Sequence, residues 1–282
     1  MRHLNVANAT IAAVSSGSGL AVDFTIEHPS LVDRLILMGP VLHGMYESPD
    51  IDVRGAALNA PVDHGDYEKA ARNWSTDPTT IERTDVTGQK ILYDDIMRYP
   101  QSLKFGGQNE IRLSPPAALR LSEVRVPTLI LVGKDDHPDV HAFAGALENG
   151  IAGARRLLVV GAAHLVQIDK PAAISAEITQ YGHMARVVHV APATLASYAG
   201  RYDAGRYDRD GKIVTIASDG DRLLLEAPAE PNLPIWPTSD NTFFMQAGTD
   251  DITIRFQPDA RGTMHAILSD SSGSVAWPRV AA

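Results

Sequence analysis

Four short apolar runs constrain the N-terminal part of this chain more than anything else in it. Residues 10–14 (TIAAV), 35–38 (LILM), 128–132 (TLILV) and 157–160 (LLVV) are continuous rather than alternating, and Gly, Pro or polar turn residues bound each one. A strand reads this way when both of its faces are covered, as in a parallel sheet packed between helices. Helical stretches lie between the runs. Residues 20–28 stop at His28-Pro29, 143–150 bridge the third and fourth runs, and 171–181 follow the last. This alternation predicts right-handed βαβ crossovers and an α/β fold with a doubly wound parallel sheet.

Two segments depart from that rhythm. Residues 41–121 carry no strong strand, several Pro and Gly, and amphipathic pieces at 67–74 and 90–99. An insertion of this length between two strands is either a cap over a site or an ordinary helical excursion. After Met184 strand signals recur at short intervals, at 213–217, 222–227, 242–246, 252–257, 263–268 and 275–280, behind a linker at 186–194 that contains Pro192. Asp219-Gly220 is a hairpin signal, because both residues tolerate positive φ. Ile252, Ile254 and Phe256 alternate with Thr253 and Arg255, so one face of that strand is buried. The segment reads as an antiparallel barrel or sandwich. The expected division is residues 1–188 for an α/β domain and 193–282 for an all-β domain.

Bulk properties exclude several classes. A formal net charge of −9 argues against a nucleic-acid binder, which needs a basic face for phosphates, and against docking on anionic lipid. Cysteine is absent, so disulfides, thiolate zinc sites and thiol nucleophiles are ruled out. That fits a cytoplasmic protein without excluding the periplasm. The apolar stretch at 4–14 is interrupted by Asn5, Asn8 and Thr10, and no small-residue cleavage site follows it, unlike a signal peptide. No run approaches the ~20 apolar residues of a transmembrane helix.

The first run leads directly into Ser15-Ser16-Gly17-Ser18-Gly19 and a helix. A strand-to-helix turn presenting a serine is a nucleophile elbow, and such a turn strains its central residue while crowding the positions two before and two after it. For Ser15 those positions are Ala13 and Gly17, both small. Ser16 would need Val14 there, and Ser18 would need Leu20. Ser15 is therefore the candidate nucleophile, with the N–H of Ser16, at the start of the helix, as an oxyanion donor. The plain alternative is a Gly/Ser-rich turn without chemistry. A phosphate-cradling loop is a poorer fit, since the P-loop Lys and the G-x-G-x-x-G spacing are missing.

An acid and a histidine follow in the order Ser, acid, His. The third run ends in Gly133-Lys134-Asp135-Asp136, and the fourth in Gly161-Ala162-Ala163-His164. Both groups fall just past the carboxyl ends of strands, where α/β sheets build sites. Among ten histidines, His164 is the one that follows a core strand in a small-residue turn. Asp135, Asp136 and Asp139 all remain candidates on this reading, since any of them could instead cap a helix or shape a turn.

The stretches TIAAVSSGSGLAVDFTIEHPSLVDRLILMGP, VPTLILVGKDDHPDV and GARRLLVVGAAHLVQIDKP resemble the elbow, acid strand and histidine strand of α/β-hydrolases, over residues 4–184. In that family the acid usually comes three residues after the glycine closing its strand, which implies Asp136 as the acid, with Ser15 as nucleophile and His164 as base. The resemblance implies a serine hydrolase acting on a carboxylic ester or lactone through an acyl-enzyme, with 41–121 as the cap and no metal or organic cofactor. Family members include esterases, lactonases, C–C bond hydrolases and perhydrolases. The C-terminal part, from LASYAGRYDAGRYDRDGKIVTIASDGDRLLLEAP through AWPRV, resembles a small lipocalin-like β-barrel module.

The sequence departs from the family in two ways. Ala13 stands where the first glycine of G-x-S-x-G would be. The family also has several strands before its nucleophile strand, and a loop among them supplies a second oxyanion donor. Here residues 1–4 read as the end of the helix just before that strand. On this reading the chain is a fragment, or a second chain completes its sheet. Residues 10–14 become an exposed apolar edge, a route to self-association. Losing one oxyanion donor costs about 10²–10³ in rate, which motivates the alternative of an impaired hydrolase acting as a binding or structural protein. A dehalogenase-type reading is weaker, because that chemistry wants a carboxylate at position 15.

Overall fold

The computed structural model describes residues 3, 5–104, 111–183, 187–205, 213–228, 232–247 and 250–281. The readings that rest on Met1, Arg2, Leu4, the change at Met184, Arg186 and residues 206–212 lie outside them. The chain divides into two compact units, Met1–His183 and Met184–Ala282.

The first unit contains a four-stranded parallel sheet in the order β1 (Ala9–Val14), β2 (Val32–Met38), β3 (Thr128–Gly133), β4 (Arg155–Val159). Helix α1 (Ser16–Glu27) connects β1 to β2, and α5 (Pro138–Gly150) connects β3 to β4. The central strands are buried along nearly their whole length, which is why they read as unbroken apolar runs. The two edge strands correct the expectation of burial on both faces. Their residues alternate between half-buried and exposed, and Leu158 on β4 is 53 % exposed. Among the described residues an edge strand has only one neighbour to bury it, and β1 pairs with β2 alone.

Leu35 and Leu37 of β2 and Ile130 and Val132 of β3 form a core with Ala21, Val22 and Ile26 of α1 and with Val140, Phe143 and Leu147 of α5. Helix α1 begins at the elbow rather than at Leu20, and it ends at His28 because Pro29 follows.

Between β2 and β3 run α2 (Pro49–Asn59), α3 (Tyr67–Thr76) and α4 (Val86–Arg98). Their starts follow from local chemistry. Pro49 opens α2 at a position where its missing N–H costs nothing. Asp66 caps α3 by accepting from Lys69 N–H, and Asp85 caps α4 by accepting from Gly88 N–H. After β4 come the short α6 (Val166–Asp169) and α7 (Pro171–His183).

In the second unit, α8 (Pro192–Tyr198) precedes eight antiparallel strands in meander order: β5 (Gly200–Asp203), β6 (Ile213–Asp219), β7 (Arg222–Glu226), β8 (Leu233–Pro237), β9 (Thr242–Ala247), β10 (Asp250–Pro258), β11 (Met264–Asp270) and β12 (Gly273–Pro278). Tyr202 bridges to Arg279, and Val280 N–H donates to Arg201 O, so first and last strands meet and the sheet closes into a barrel rather than a sandwich. Part of the expected linker is helix, since Pro192 supplies the first position of α8.

The sequence reading missed β5 and β8. The first is only four residues long. The second is LPIWP, whose two prolines cannot donate to a ladder and so hide a strand. The β6–β7 hairpin turns at Gly220, φ 70°, one residue later than the dipeptide signal suggested.

The barrel core is aromatic. Tyr198 stacks on Phe256 at 4.4 Å between ring centroids, and Phe243 meets Phe256 edge-on at 5.3 Å. Tyr202 donates its hydroxyl to Tyr198 O at 2.7 Å, and burial pushes its phenol up to about 12. Among the described residues no helix is long and apolar enough to cross a membrane. Because Phe256 is fully buried at the centre of this cluster, Phe256→Ala is expected to destabilise the barrel by about 3–5 kcal/mol, read from urea denaturation followed by tryptophan fluorescence.

Candidate active site

The site forms at the carboxyl ends of β1, β3 and β4. Ser15 has φ 53° and ψ −127°, a region that non-glycine residues rarely occupy. Such a backbone costs about 1–3 kcal/mol and persists only where its surroundings impose it. Here they do. Ser15 N–H donates to Met38 O at 2.9 Å, while Ser15 O accepts from Ser18 N–H at 2.8 Å and from Val41 N–H at 3.3 Å.

The neighbouring serines are placed differently. Ser18 is buried and donates its hydroxyl to Ala13 O. Ser16 is exposed as the first residue of α1, where its N–H has no intrahelical acceptor. The crowding argued from sequence is mild, since a Cβ on Gly17 would lie 4.0 Å from Ala13 Cβ.

His164 Nε2 lies 2.8 Å from Ser15 Oγ, and its Nδ1 lies 3.1 and 3.0 Å from the two carboxylate oxygens of Asp136. A carboxylate only accepts, so Nδ1 carries the hydrogen and the Nε2 lone pair faces the serine hydroxyl. Asp136 is buried and also accepts from His137 N–H at 2.7 Å. The two other carboxylates point elsewhere. Asp135 is exposed, and Asp139 accepts from the N–H and hydroxyl of Ser48. The three side chains singled out from sequence therefore meet, and of the three aspartates Asp136 is the one beside His164.

Close backbone packing brings them together. A Cβ on Gly133 would fall 2.0 Å from Ala163 O, so the acid loop lies directly against the histidine loop, where Asp135 N–H donates to Ala162 O at 3.0 Å. A Cβ on Gly39 (φ 48°) would fall 2.7 Å from His164 O and 2.9 Å from its Nδ1. Only glycine lets the end of β2 pass under the imidazole.

The histidine loop is also strapped to the excursion between β2 and β3. His164 N–H donates to Thr79 O and Leu165 N–H to Thr80 O, both at 3.1 Å. Asp169 accepts from Ala163 N–H at 2.8 Å and from Glu82 N–H. Burial pushes its carboxyl above the usual range, and those two N–H groups only partly offset this. Asp77 organises the strap itself. It accepts from Thr79 and Thr80 N–H, both at 3.0 Å, and from Arg54 Nη2 at 2.5 Å. Burial raises the Asp77 carboxyl, but the bonds from Arg54 and Thr79 outweigh that and hold it below its ordinary value.

A cavity of about 370 Å³ opens on Ser15 and His164. Ile51, Arg54 and Gly55 of α2, Trp74 of α3, and Leu92 and Ile96 of α4 line it. Residues of α2, α3 and α4 thus contribute to the cavity wall. Two contacts fasten the start of α2 to the acid loop: Ser48 on Asp139, and Asp50 on His137 Nε2 at 3.1 Å. A second buried pair, His43 Nδ1 with Asp23 at 2.7 Å, ties the segment after β2 to α1. Among the described residues no three His, Asp or Glu side chains gather closely enough to hold a metal ion.

This geometry can be set beside known proteins. A family profile described as alpha/beta hydrolase fold matches residues 1–171. The chain belongs to the α/β-hydrolase family. A 2-hydroxy-6-oxo-6-phenylhexa-2,4-dienoate hydrolase of Comamonas testosteroni is 27 % identical over 179 residues, which are 60 % of this chain and 61 % of the relative, so the chain spans less than two thirds of that protein's length. The solved structure of MenH from S. aureus superposes with a TM-score of 0.51 at 20 % identity, covering 62 % of this chain and 67 % of that one. It shares the fold with this α/β-hydrolase.

Sequence reasoning missed Gly39, Arg54, Asp77 and Asp169. Gly39 carried a weak signal as a glycine closing a core strand, like Gly133. Asp77 carried a weak one as an aspartate two and three residues before Thr79 and Thr80, whereas Arg54 and Asp169 carried none, because Asp77 and Glu82, which they meet, lie far off in sequence. Gly39→Ala is expected to displace the imidazole and to cost about 1–3 kcal/mol of stability. The downfield proton resonance of His164 Nδ1–H, present in the parent protein, should be lost or shifted in the variant. An unchanged resonance and an unchanged midpoint would show that the close approach imposes nothing.

Proposed function

We propose that the N-terminal unit cleaves a carboxylic ester or lactone by acyl transfer, with Ser15 as nucleophile, His164 as base and then acid, and Asp136 as the carboxylate that orients it. The reading rests above all on one observation: Ser15 Oγ sits 2.8 Å from His164 Nε2 while Asp136 holds the opposite nitrogen. That distance is within proton-transfer reach, and the buried carboxylate fixes the required tautomer and stabilises the imidazolium.

In the first step Ser15 Oγ attacks the carbonyl carbon and its proton passes to His164 Nε2. The tetrahedral oxyanion that forms lies near the Ser16 N–H, at the positive end of α1. Collapse breaks the bond between carbonyl carbon and alkoxy oxygen, and His164 returns the proton to the departing oxygen, which stays tethered if the substrate is a lactone. Water then attacks the acyl-enzyme, giving one proton to His164, and the acid is released as the proton returns to Ser15. The protein supplies every proton transfer.

The family membership supports hydrolysis in general, and the predominantly apolar cavity suits an apolar acyl or alcohol group. Hydrolysis of p-nitrophenyl butyrate tests the proposal. Ser15→Ala and His164→Ala are each expected to lower kcat by about 10³-fold or more, and the double variant should fall little further, because the residues act as one unit. Turnover at the parental rate in Ser15→Ala would overturn it.

A further inference from the structure

Arg54 stands out in the cavity. Among the described lining residues it is the only Arg or Lys, set among Val41, Ile51, Leu92, Ile96 and Val140. It is also held firmly. Its Nε and Nη2 grip Asp77, Nη2 donates to Thr80 Oγ1 at 2.6 Å, and its guanidinium carbon lies 5.7 Å from the ring centroid of Trp74. Trp74 is fixed in turn by donating its indole N–H to Asn59 Oδ1 at 3.0 Å. The guanidinium nitrogen left over, Nη1, makes no hydrogen bond among the described residues. A side chain with this many restraints is pre-organised, so a ligand that reaches it loses little to ordering.

We propose that Arg54 is a specificity residue whose Nη1 edge receives a neutral acceptor oxygen (an amide, ketone or hydroxyl) on the non-reacting part of the substrate. This builds on the proposed function by naming a substrate class for the same cavity. The charge balance decides against a carboxylate. Asp77 already neutralises the guanidinium, and the buried Asp136 lines the same cavity. A carboxylate would be a further anion in a largely apolar space, with its desolvation uncompensated. A carbonyl or hydroxyl oxygen needs only a donor and brings no charge.

Binding can be measured without turnover, which separates this inference from the chemistry. In a Ser15→Ala background, the affinities of N-benzylacetamide and 3-phenylpropanoate are compared by calorimetry or ligand-observed NMR. The amide is expected to bind about tenfold more tightly than the carboxylate, and Arg54→Met should weaken the amide by about tenfold or more, the low end for a hydrogen bond to a charged donor. Asp77 keeps its Thr79 and Thr80 donors in that variant. The double variant Arg54→Met/Asp77→Asn should show the same loss, which excludes a stranded carboxylate as its cause. Amide affinity unaffected by Arg54→Met, tighter binding of the carboxylate, or binding of neither ligand would overturn the inference. Failure of the parental protein to hydrolyse any ester, with these binding results intact, would overturn the proposed function alone.

Discussion

Ser15 sits at the end of β1 in a backbone conformation that a serine does not adopt freely, and three hydrogen bonds keep it there. Its N–H extends the β1–β2 ladder onto Met38, and its carbonyl accepts both from the first turn of α1 and from Val41 beyond β2. The strain aims the hydroxyl out of the strand line toward His164, and the helix that must begin one residue later leaves the Ser16 N–H without an internal partner. A relaxed backbone at Ser15 would move the hydroxyl and the start of α1 together. The sheet therefore does more than carry the site, because its register between β1 and β2 sets the position of the nucleophile candidate.

Backbone contact helps to place the other two side chains, beside the hydrogen bond between them. Gly133 lets the acid loop rest on the carbonyls of Ala162 and Ala163, and Gly39 lets β2 end beneath the imidazole. The strap adds a third support. Asp77 gathers Thr79 and Thr80, whose carbonyls receive the N–H groups of His164 and Leu165. Arg54 holds Asp77 and lines the cavity, so a side chain of the cavity wall belongs to the same hydrogen-bonded set as the backbone of the histidine loop.

Much of this is legible in the amino-acid sequence. A parallel sheet imposes unbroken apolar runs on its covered strands, and a site at the carboxyl ends of those strands follows from topology, which is why the serine turn, a group of three aspartates and His164 stand out by position. Sterics separated Ser15 from Ser16 and Ser18 because a strained turn has a definite shape. The family spacing picked Asp136 out of three nearby aspartates, and the contact of Asp139 with Ser48 shows what one of the others does instead. The edge character of β4 was hidden, since Leu157-Leu158-Val159-Val160 carries no alternation even though every second residue faces outward. The prolines of β8 concealed a strand for the opposite reason. Arg54 and Asp169 reach Asp77 and Glu82, far off in sequence, and no periodicity or local motif marks such pairs, while the local turn of Asp77 onto Thr79 and Thr80 gives no sign that their carbonyls meet the histidine loop.

The central claim is that one serine among three adjacent candidates is activated by a histidine whose tautomer a buried aspartate fixes. Labelling with a fluorophosphonate, followed by peptide mapping with mass spectrometry, tests it most directly. The account predicts a single phosphonyl adduct on Ser15, none on Ser16 or Ser18, and labelling slowed by orders of magnitude in Asp136→Asn. An adduct on another serine, or labelling of Ser15 that is indifferent to Asp136, would contradict it.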